Sequence, residues 1–316
     1  SWEMYGVVYN TVDGDLELSG VVNGYQLTGA SYDSKSFSFS SQLTGAQGFG
    51  LSADGTKMYI VESGADTGYQ FNLTTAFDIS TASYASKSFS FSSQDGIPRD
   101  LAVNSTGTKL FMLGGSNSRV YQYTLSTAGD LSTASYDSVS FLVSSQGASM
   151  RGLAFSNDGT KMYGIDSNIF QYTLTTAFDL STASYASKTF NFATQDTGVN
   201  SVAFNSDGTK MFGVGTTNDA VYQYTLSTAF DVSTASYDSV SFSVSSQDTT
   251  PLGIAFNETG TTMLILGTVN SSIYQYTTGS VSAPTGYQPV HTTASTDTTY
   301  WTDINSMTAD QAAGDG

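Results

Sequence analysis

The chain of 316 residues is 39% hydrophobic and 13% aromatic, which is enough to bury a core and too apolar for a disordered chain. Its formal net charge of -17 arises from 27 acidic and 10 basic residues, and this disfavours binding to nucleic acid or to an anionic membrane. The absence of cysteine excludes disulfides and thiolate chemistry. No apolar run approaches the length of a membrane span, so we predict no nucleic-acid partner and no membrane insertion.

The chain begins with a short, divergent copy of a phrase that recurs along most of its length. Its Gly6–Asn10 segment resembles Gly253–Asn257, and its Tyr25-Gln26-Leu27 resembles the later Tyr-Gln-Tyr motifs. Five fuller copies follow, and successive turn glycines in them are 52, 52, 49 and 52 residues apart. A constant period of this length marks a repeat architecture. The turn glycines are Gly55, Gly107, Gly159, Gly208 and Gly260.

Each full copy predicts four strands, A to D, illustrated by the third. Alternating small and large residues favour a strand, and the Asp158-Gly159 pair after strand A predicts a tight turn. Aromatic and β-branched enrichment favours strands throughout. No segment has a sustained 3.6-residue apolar period, so we predict little helix. The predicted strands of this copy are Gly152–Ser156, Lys161–Ile165, Phe170–Leu174 and Lys188–Phe192.

The repeat stops after Tyr276, so the last copy is predicted to lack its final strand. Pro284 and Pro289 make the following stretch a poor central strand. From His291 the composition changes, and we predict that residues 281–316 are a linker and the start of another module. Because the chain starts with Ser1 rather than Met, we expect it to be a segment of a longer or processed polypeptide.

Six copies of a four-stranded antiparallel unit favour a closed β-propeller over an open β-solenoid, whose coils are usually shorter and parallel. Strand A carries a small residue at one fixed position, as innermost strands crowded around a propeller axis require. We therefore predict an all-β, six-bladed β-propeller over residues 1–280, with a 49–52-residue repeat and an incomplete last blade. The small residues are Gly50, Ala102, Ala154, Ala203 and Ala255.

The strand order places the D–A and B–C loops at one end of the propeller and the A–B turns and C–D links at the other. The first end is rich in aspartate and asparagine, which can hydrogen-bond to a glycan or a protein. We predict this end to be the ligand-binding face. Its candidate residues are Asp66, Asp95, Asn117, Asp166, Asp196, Asn218, Asp219, Asp248 and Asn270.

No catalytic constellation emerges, because His291 is the single histidine and lies outside the predicted propeller. This excludes histidine bases and His or Cys metal sites within it, and we predict a protein that is not an enzyme and needs no cofactor. One aspartate recurs in the C–D links, where turn capping and oxygen ligation of Ca²⁺ are the two interpretations. The recurring residues are Asp78, Asp130, Asp179 and Asp231.

Two resemblances add to this interpretation. The phrase from Pro251 to Gly260 resembles the blade signature of the YVTN/lactonase-like propellers, which implies the fold. The units built on the stretch from Tyr222 to Tyr237 resemble repeats in predicted tail or fibre proteins of marine bacteriophages, and the stretch from Thr299 to Asp310 resembles the segment that follows them there.

The second resemblance implies a virion surface protein. We expect a tail or fibre component, located on the virion or outside the cell, that acts as a spacer or binds a host-surface glycan or protein alongside other virion or filament subunits. The alternative is a secreted bacterial adhesin or extracellular filament subunit. A glycan hydrolase or lactonase would need paired carboxylates in a pocket.

Overall fold

The computed structural model describes residues 7–9, 16–18, 24–147 and 149–279. The chain divides into two compact units, one formed by Ser1–Val22 with Val281–Gly316 and one by Asn23–Ser280. In the first unit, β1 (Val7–Tyr9) pairs antiparallel with β2 (Leu16–Leu18). In the described part of the chain, no helix is long and apolar enough to cross a membrane.

The second unit consists of five four-stranded antiparallel sheets, which we call blades 1 to 5. A 3₁₀ turn precedes strand D in blades 1 to 4; these turns are Ile79–Thr81, Leu131–Thr133, Leu180–Thr182 and Val232–Thr234. The first strand of this unit is β3 (Gln26–Ser38), which belongs to blade 5. Blade 1 consists of β4 (Ala46–Leu51), β5 (Lys57–Glu62), β6 (Thr67–Leu73) and β7 (Ala82–Ser90), and blade 2 of β8 (Pro98–Val103), β9 (Lys109–Gly114), β10 (Arg119–Leu125) and β11 (Ala134–Leu142). Blade 3 consists of β12 (Gly152–Phe155), β13 (Lys161–Ile165), β14 (Asn168–Leu174) and β15 (Ala183–Asn191), blade 4 of β16 (Val199–Phe204), β17 (Lys210–Gly215), β18 (Ala220–Leu226) and β19 (Ala235–Ser243), and blade 5 of β20 (Pro251–Phe256), β21 (Thr262–Gly267) and β22 (Ser272–Gly279) together with β3.

The five blades close into a ring. Each strand A packs against strand A of the next blade, in the order β4, β8, β12, β16 and β20, and β20 packs against β4. The predicted propeller with strand A innermost is therefore confirmed, and the small residues do lie where neighbouring strands crowd. A Cβ on Gly50, for example, would lie 3.0 Å from Cδ1 and 3.1 Å from the carbonyl oxygen of Leu101 in the next blade.

The prediction of six blades with an incomplete last blade is wrong, because the first copy supplies the missing strand. β3 pairs with β22 in antiparallel register, with Tyr32 opposite Tyr276 and Ser38 opposite Ser272. The fifth blade is thus complete, with the order β20-β21-β22-β3. Joining the two ends of the repeat in one sheet removes both exposed strand edges, which explains why six sequence copies form five blades.

The resemblance of Tyr25-Gln26-Leu27 to the Tyr-Gln-Tyr motifs places Tyr25 in a strand C, but Tyr25 takes the position of the link phenylalanine in the last blade. Its backbone N–H donates to the Gly260 carbonyl oxygen at 2.8 Å, as the Phe77 N–H donates to Gly55 at 3.0 Å in blade 1. The last described strand ends at Gly279, and the predicted domain end near residue 280 stays a prediction. The linker and following module predicted for 281–316 lie outside the described residues and stay predictions.

Strand D is longer than predicted. In blade 3 it begins at Ala183 rather than Lys188, and Tyr185 pairs with Tyr172. A register shift between Gln171 and Tyr172, opposite Ser187 in the left-handed region with φ 56°, marks a β-bulge. The bulge breaks the alternation of the sequence, and this hid the first half of the strand.

The apolar core lies between blades. One buried cluster joins Tyr59 and Val61 of blade 1 to Leu110, Met112 and Leu131 of blade 2, and comparable clusters fill the other interfaces. Burying one large aliphatic or aromatic side chain contributes about 1.5–3 kcal/mol. Each blade is therefore stabilised mainly by its neighbours, as expected for a repeat protein.

A glutamine in the middle of every strand C connects its blade to the next one. Its Oε1 accepts a hydrogen bond from the backbone N–H of a buried apolar residue at the start of the neighbour's 3₁₀ turn or, at the closure, of β3. We call these five bonds the glutamine clamps, and one crosses every interface of the ring. The pairs are Gln70 with Leu131 (2.9 Å), Gln122 with Leu180 (2.9 Å), Gln171 with Val232 (3.1 Å), Gln223 with Leu27 (3.0 Å) and Gln275 with Ile79 (2.9 Å).

Replacing a clamp glutamine should leave a buried N–H without a partner. We expect Gln171→Met to lower the free energy of unfolding by about 1–3 kcal/mol, as measured by urea denaturation, because its volume is kept while the acceptor for Val232 is lost. The control is Gln42→Met, at a half-buried glutamine outside the clamps, which should change stability by less than about 0.5 kcal/mol. Equal effects of the two variants would contradict the role of the clamp.

Candidate functional site

The end of the propeller that carries the D–A and B–C loops, here the D–A end, contains all nine predicted ligand-binding residues. They come from loops of all five blades, so the fold brings them to one end without gathering them in one cluster. Their individual surroundings separate them into buried residues that hold loops together and residues that remain accessible at the rim.

Asp95, Asp196 and Asp248 are buried, with 2–3% of their surface exposed. The Asp95 carboxylate accepts hydrogen bonds from the backbone N–H groups of Ile97 (2.9 Å), Ser116 (3.0 Å) and Asn117 (2.9 Å). Asp196 and Asp248 make the equivalent bonds in blades 4 and 5. These three carboxylates therefore fasten the D–A loop to the B–C loop of the same blade, and their oxygens do not face a ligand.

The aspartate leaves room only for glycine at the end of strand B in these blades. A Cβ on Gly114, Gly215 or Gly267 would clash with the carboxylate of Asp95, Asp196 or Asp248. The end of strand B and the D–A loop therefore form a matched pair of positions. The sequence repeat contains this pairing, but it becomes visible only when the two loops are known to touch.

Blade 1 makes the same connection with the partners exchanged. Leu43 stands at the aspartate position and Glu62 at the glycine position, and the buried Glu62 carboxylate accepts from the N–H groups of Thr44 (3.2 Å) and Gly45 (3.0 Å). Sequence reasoning did not single out Glu62. The exchange itself, an acid lost in one loop and gained in the other, was the available signal.

Blade 3 has Gly147 at the aspartate position, and the accompanying acid is the predicted Asp166. A Cβ on Gly147 would lie 2.6 Å from Asp166 Oδ2, so this carboxylate lies over the glycine. Its Oδ1 accepts from the Asn168 N–H at 2.8 Å. Asp166 is half-buried and shapes a shorter B–C loop.

Asn117, Asn218 and Asn270 are exposed, yet each also orders its loop. The Asn117 Nδ2 donates to the Gln94 carbonyl oxygen (3.1 Å) and to the Tyr121 hydroxyl (3.2 Å), and the other two asparagines also bind the D–A turn. Asp66 and Asp219 are half-buried at the left-handed position before strand C, with φ of 50° and 51°. The three asparagines are accessible from solvent and Asp66 is partly so, whereas Oδ1 of Asp219 is buried without a hydrogen-bond partner among the described residues.

The four link aspartates lie at the opposite end and cap the 3₁₀ turns. Oδ1 of Asp78 accepts from the N–H (3.1 Å) and the hydroxyl (2.6 Å) of Ser80, and the other three bond in the same way. Hydrogen bonds from Lys35 and Ser80 lower the pKa of Asp78. The hydrogen bonds show capping by Asp78, Asp130, Asp179 and Asp231, and Ca²⁺ ligation by these residues stays a prediction. The described residues hold no group of three or more His, Cys, Asp or Glu side chains suited to a metal.

A buried carboxyl that sequence reasoning missed lies at the propeller axis. Asp100 is 5% exposed, and its two oxygens accept from the N–H groups of Leu101 (2.9 Å) and Leu153 (2.8 Å). A Cβ on Gly48 would clash with Oδ1, so the carboxyl touches three blades. Burial raises the pKa of Asp100 to about 8, because no cation offsets the lost hydration.

An open cleft of about 450 Å³ lies at the opposite end, between blades 5 and 1. The Asp54 carboxylate in this cleft is hydrogen-bonded within its own turn, since Oδ1 accepts from the hydroxyls of Ser52 (2.5 Å) and Thr56 (2.9 Å). The cleft is therefore formed by turn residues with internal hydrogen bonds. Its lining residues are Ala53, Asp54, Phe77, Asn257, Glu258 and Thr259.

Comparison with known proteins adds no family. The sequence matches no protein-family profile and no curated protein. Similar solved structures include Sqt1 from Chaetomium thermophilum, at 16% identity and a TM-score of 0.42, with 74% of this chain and 60% of that chain covered. A candidate 6-phosphogluconolactonase from Bacteroides uniformis matches at 13% identity and a TM-score of 0.47, with 77% and 71% covered.

A protein from Lactobacillus plantarum matches at 14% identity and a TM-score of 0.41, with 70% of this chain and 63% of that chain covered. The match to Sqt1 spans about 60% of the length of that structure. These values assign no activity to the chain. The likeness to phage tail proteins stays a prediction.

The exchanged pair in blade 1 suggests a swap in blade 4. We expect Asp196→Leu and Gly215→Glu each to lower the free energy of unfolding by about 1–3 kcal/mol, the first by orphaning N–H groups and the second by a clash. The double variant reproduces the Leu43 and Glu62 pair, so its loss in free energy of unfolding should be smaller than the sum of the two single losses. Urea denaturation of all four proteins measures this coupling, and strict additivity would contradict the matched-pair account.

The raised pKa of Asp100 predicts a stability that falls as pH rises. Between about pH 4 and pH 8 the folded state keeps a proton that the unfolded state releases, so unfolding becomes easier with pH by up to about 1.4 kcal/mol per pH unit. Asp100→Ser, which copies Ser201 at the equivalent position of blade 4, should lack this slope. Urea denaturation of both proteins at pH 5 and pH 9 tests this; parallel pH profiles would contradict it.

Proposed function

We propose that this chain is a non-enzymatic surface protein of a phage virion, a tail or fibre component that binds a host-surface glycan or protein through the D–A end of its propeller. The observation that carries the proposal is the distribution of differences among the repeats. The C–D links are nearly identical among the copies, whereas the later part of the D–A loops and the start of strand A differ among them. A position under purely structural demands should repeat, so the divergent end is the better candidate for recognition.

The link end is nearly invariant among the copies. The stretches that begin at Leu125 and Leu226 both read Leu-Ser-Thr-Ala, and both continue to an aspartate, one apolar residue and then Ser-Thr-Ala-Ser-Tyr. At the D–A end, in contrast, the position at the start of strand A is arginine in blades 2 and 3 and an uncharged residue in the other three blades. In blade order it is Gln47, Arg99, Arg151, Asn200 and Leu252.

Exposed apolar side chains are also concentrated at the D–A end. Among the large apolar side chains exposed in the described residues, Ile97 (38%), Leu142 (43%) and Val269 (60%) lie there, while Tyr84 (36%) lies at the start of a strand D. Ile97 and Val269 come from the loops themselves. Exposed apolar groups with a polar rim are common where a protein binds a partner.

The non-enzymatic part of the proposal rests on how the acids are used. A glycoside hydrolase needs two carboxylates about 5–10 Å apart across a substrate cleft. The buried acids Asp95, Asp196 and Asp248 instead face the backbone N–H groups of their own blades. Rim acids belong to different blades, with a polar loop around each of them.

Binding of the full chain to host cells tests the proposal. We expect the fluorescently labelled protein to bind host cells or members of a glycan array, and Ile97→Asp with Val269→Asp to weaken binding at least tenfold by placing charge on the contact surface. The matched control is Thr75→Asp with Ser126→Asp, two exposed positions in the links, which should leave binding unchanged.

An absence of binding to every cell and glycan would contradict recognition and leave the chain as a spacer. Equal losses in the two variants would contradict the assignment of the D–A end. Detection of the chain on bacterial surfaces, but not on purified virions, would favour the adhesin or filament alternative.

A further inference from the structure

The centre of the D–A end carries two arginines on neighbouring blades. Arg99 and Arg151 are the second residues of β8 and of the segment leading into β12, and these innermost strands pack against each other. The equivalent residues of the other blades are Gln47, Asn200 and Leu252. We call the surface formed by these five side chains the mouth of the axis.

Arg99 is held in place by its surroundings. Its Nη1 donates to Gln47 Oε1 of blade 1 at 3.0 Å. Its stem lies over Gly115, where a Cβ would be 2.8 Å from Nε and 3.1 Å from Cγ. The guanidinium is half-buried and therefore has a defined position, with donors left over after one hydrogen bond to a neutral amide.

Arg151 is directed by a buried asparagine. Its Nη1 donates to Asn200 Oδ1 at 3.1 Å. Asn200 is 2% exposed, and its Nδ2 donates to the Gly198 carbonyl oxygen (2.8 Å) and to Thr216 Oγ1 (3.3 Å), which turns the oxygen toward Arg151. Arg151 itself is exposed, so its remaining donors can reach a ligand.

The two guanidinium groups lack a carboxylate partner within the described part of the chain. The five ion pairs there all use lysines. A guanidinium has five N–H donors, and each of these two donates in one hydrogen bond to a neutral amide oxygen. Arg119, Lys57 and Lys161 also form none of these ion pairs, so Arg99 and Arg151 are distinguished by their position at the entry to adjacent innermost strands.

The acids near the mouth do not cancel this charge directly. Asp100 follows Arg99 in the chain and has both oxygens bound to backbone N–H groups, and its pKa of about 8 leaves it mostly uncharged at pH 7. The rim acids Asp66, Asp166 and Asp219 repel an approaching anion at long range. Binding at the mouth should therefore be local and short-range.

We propose that the mouth of the axis binds the oxyanion of an acidic surface glycan, a uronate carboxylate or a sulfate ester, through the guanidinium groups of Arg99 and Arg151. The planar fork of a guanidinium matches both oxyanions in two-point hydrogen bonding. The two arginines lie at the entry to adjacent innermost strands. Their Nη1 groups bond to blade 1 and to blade 4, respectively, so each guanidinium presents its own remaining donors at the mouth. This inference rests on the proposed function and names the chemical class of its ligand.

Oligosaccharide binding by the full chain tests the inference. The probes are an oligouronate, a sulfated oligosaccharide and a neutral oligosaccharide of equal length, with affinity measured by calorimetry at two salt concentrations. The test variant is Arg99→Gln with Arg151→Gln, since Gln47 shows that glutamine is accommodated at this position. We expect at least tenfold weaker binding of one or both acidic probes and no change for the neutral probe.

The matched control is Arg119→Gln with Lys161→Gln, which removes the same charge. The Arg119 Nη1 donates to Ser140 Oγ at 3.0 Å in the outer part of blade 2, and Lys161 lies 5.8 Å from the centre of the Phe230 ring at the other end. This control should retain wild-type affinity. The uronate and sulfate arms identify which source of the oxyanion the mouth accepts.

The outcomes separate this inference from the proposed function. No affinity of the wild-type chain for either acidic probe, or equal losses in both double variants, overturns the inference. If host cells or neutral glycans are still bound through the D–A end, the proposed function survives that failure. If acidic probes bind at the mouth while host cells and glycan arrays remain negative, the inference stands and the proposed function fails.

Discussion

A buried hydrogen bond from a backbone N–H to a glutamine side chain recurs at every blade interface, and the ring depends on it. Each clamp satisfies a donor that the apolar core around it could not, so an interface that slips by one residue leaves an orphaned group. The apolar clusters supply most of the free energy of association and are tolerant of shape. The clamps are directional, and they therefore determine the register in which one blade meets the next.

The same requirement explains the division of labour between the two ends. The links that donate to the clamps must reproduce one backbone path, and they repeat almost without change, with an aspartate capping each 3₁₀ turn. The D–A loops lie away from the clamps and need only stay connected to their own blade. A single buried acid makes that connection, whether it is Asp95 or Glu62. The surface of the D–A end is consequently free to vary, and it carries the arginines at the axis.

Much of this fold could be predicted from the sequence, because the period, the Asp-Gly turns and the small residues of strand A report local constraints. The blade count could not, since the pairing of β3 with β22 joins residues far apart in the chain. At the D–A end, the sequence indicated which residues share one end of the propeller but not what each of them does there. Asp95 looks like a surface ligand in sequence and is buried by contacts between two loops, while Asp100 differs from Gly48 and Gly152 at one position whose meaning appears only at the axis.

Native-state hydrogen exchange at the five clamp amides tests the central claim most directly. If one closed ring holds all blades, the N–H groups of Leu27, Ile79, Leu131, Leu180 and Val232 should exchange only through global unfolding, with equal free energies close to that of denaturation. Exchange at Leu27 that is orders of magnitude faster than at the other four would contradict the account, because it would show that the strand joining the two ends of the repeat does not close the ring.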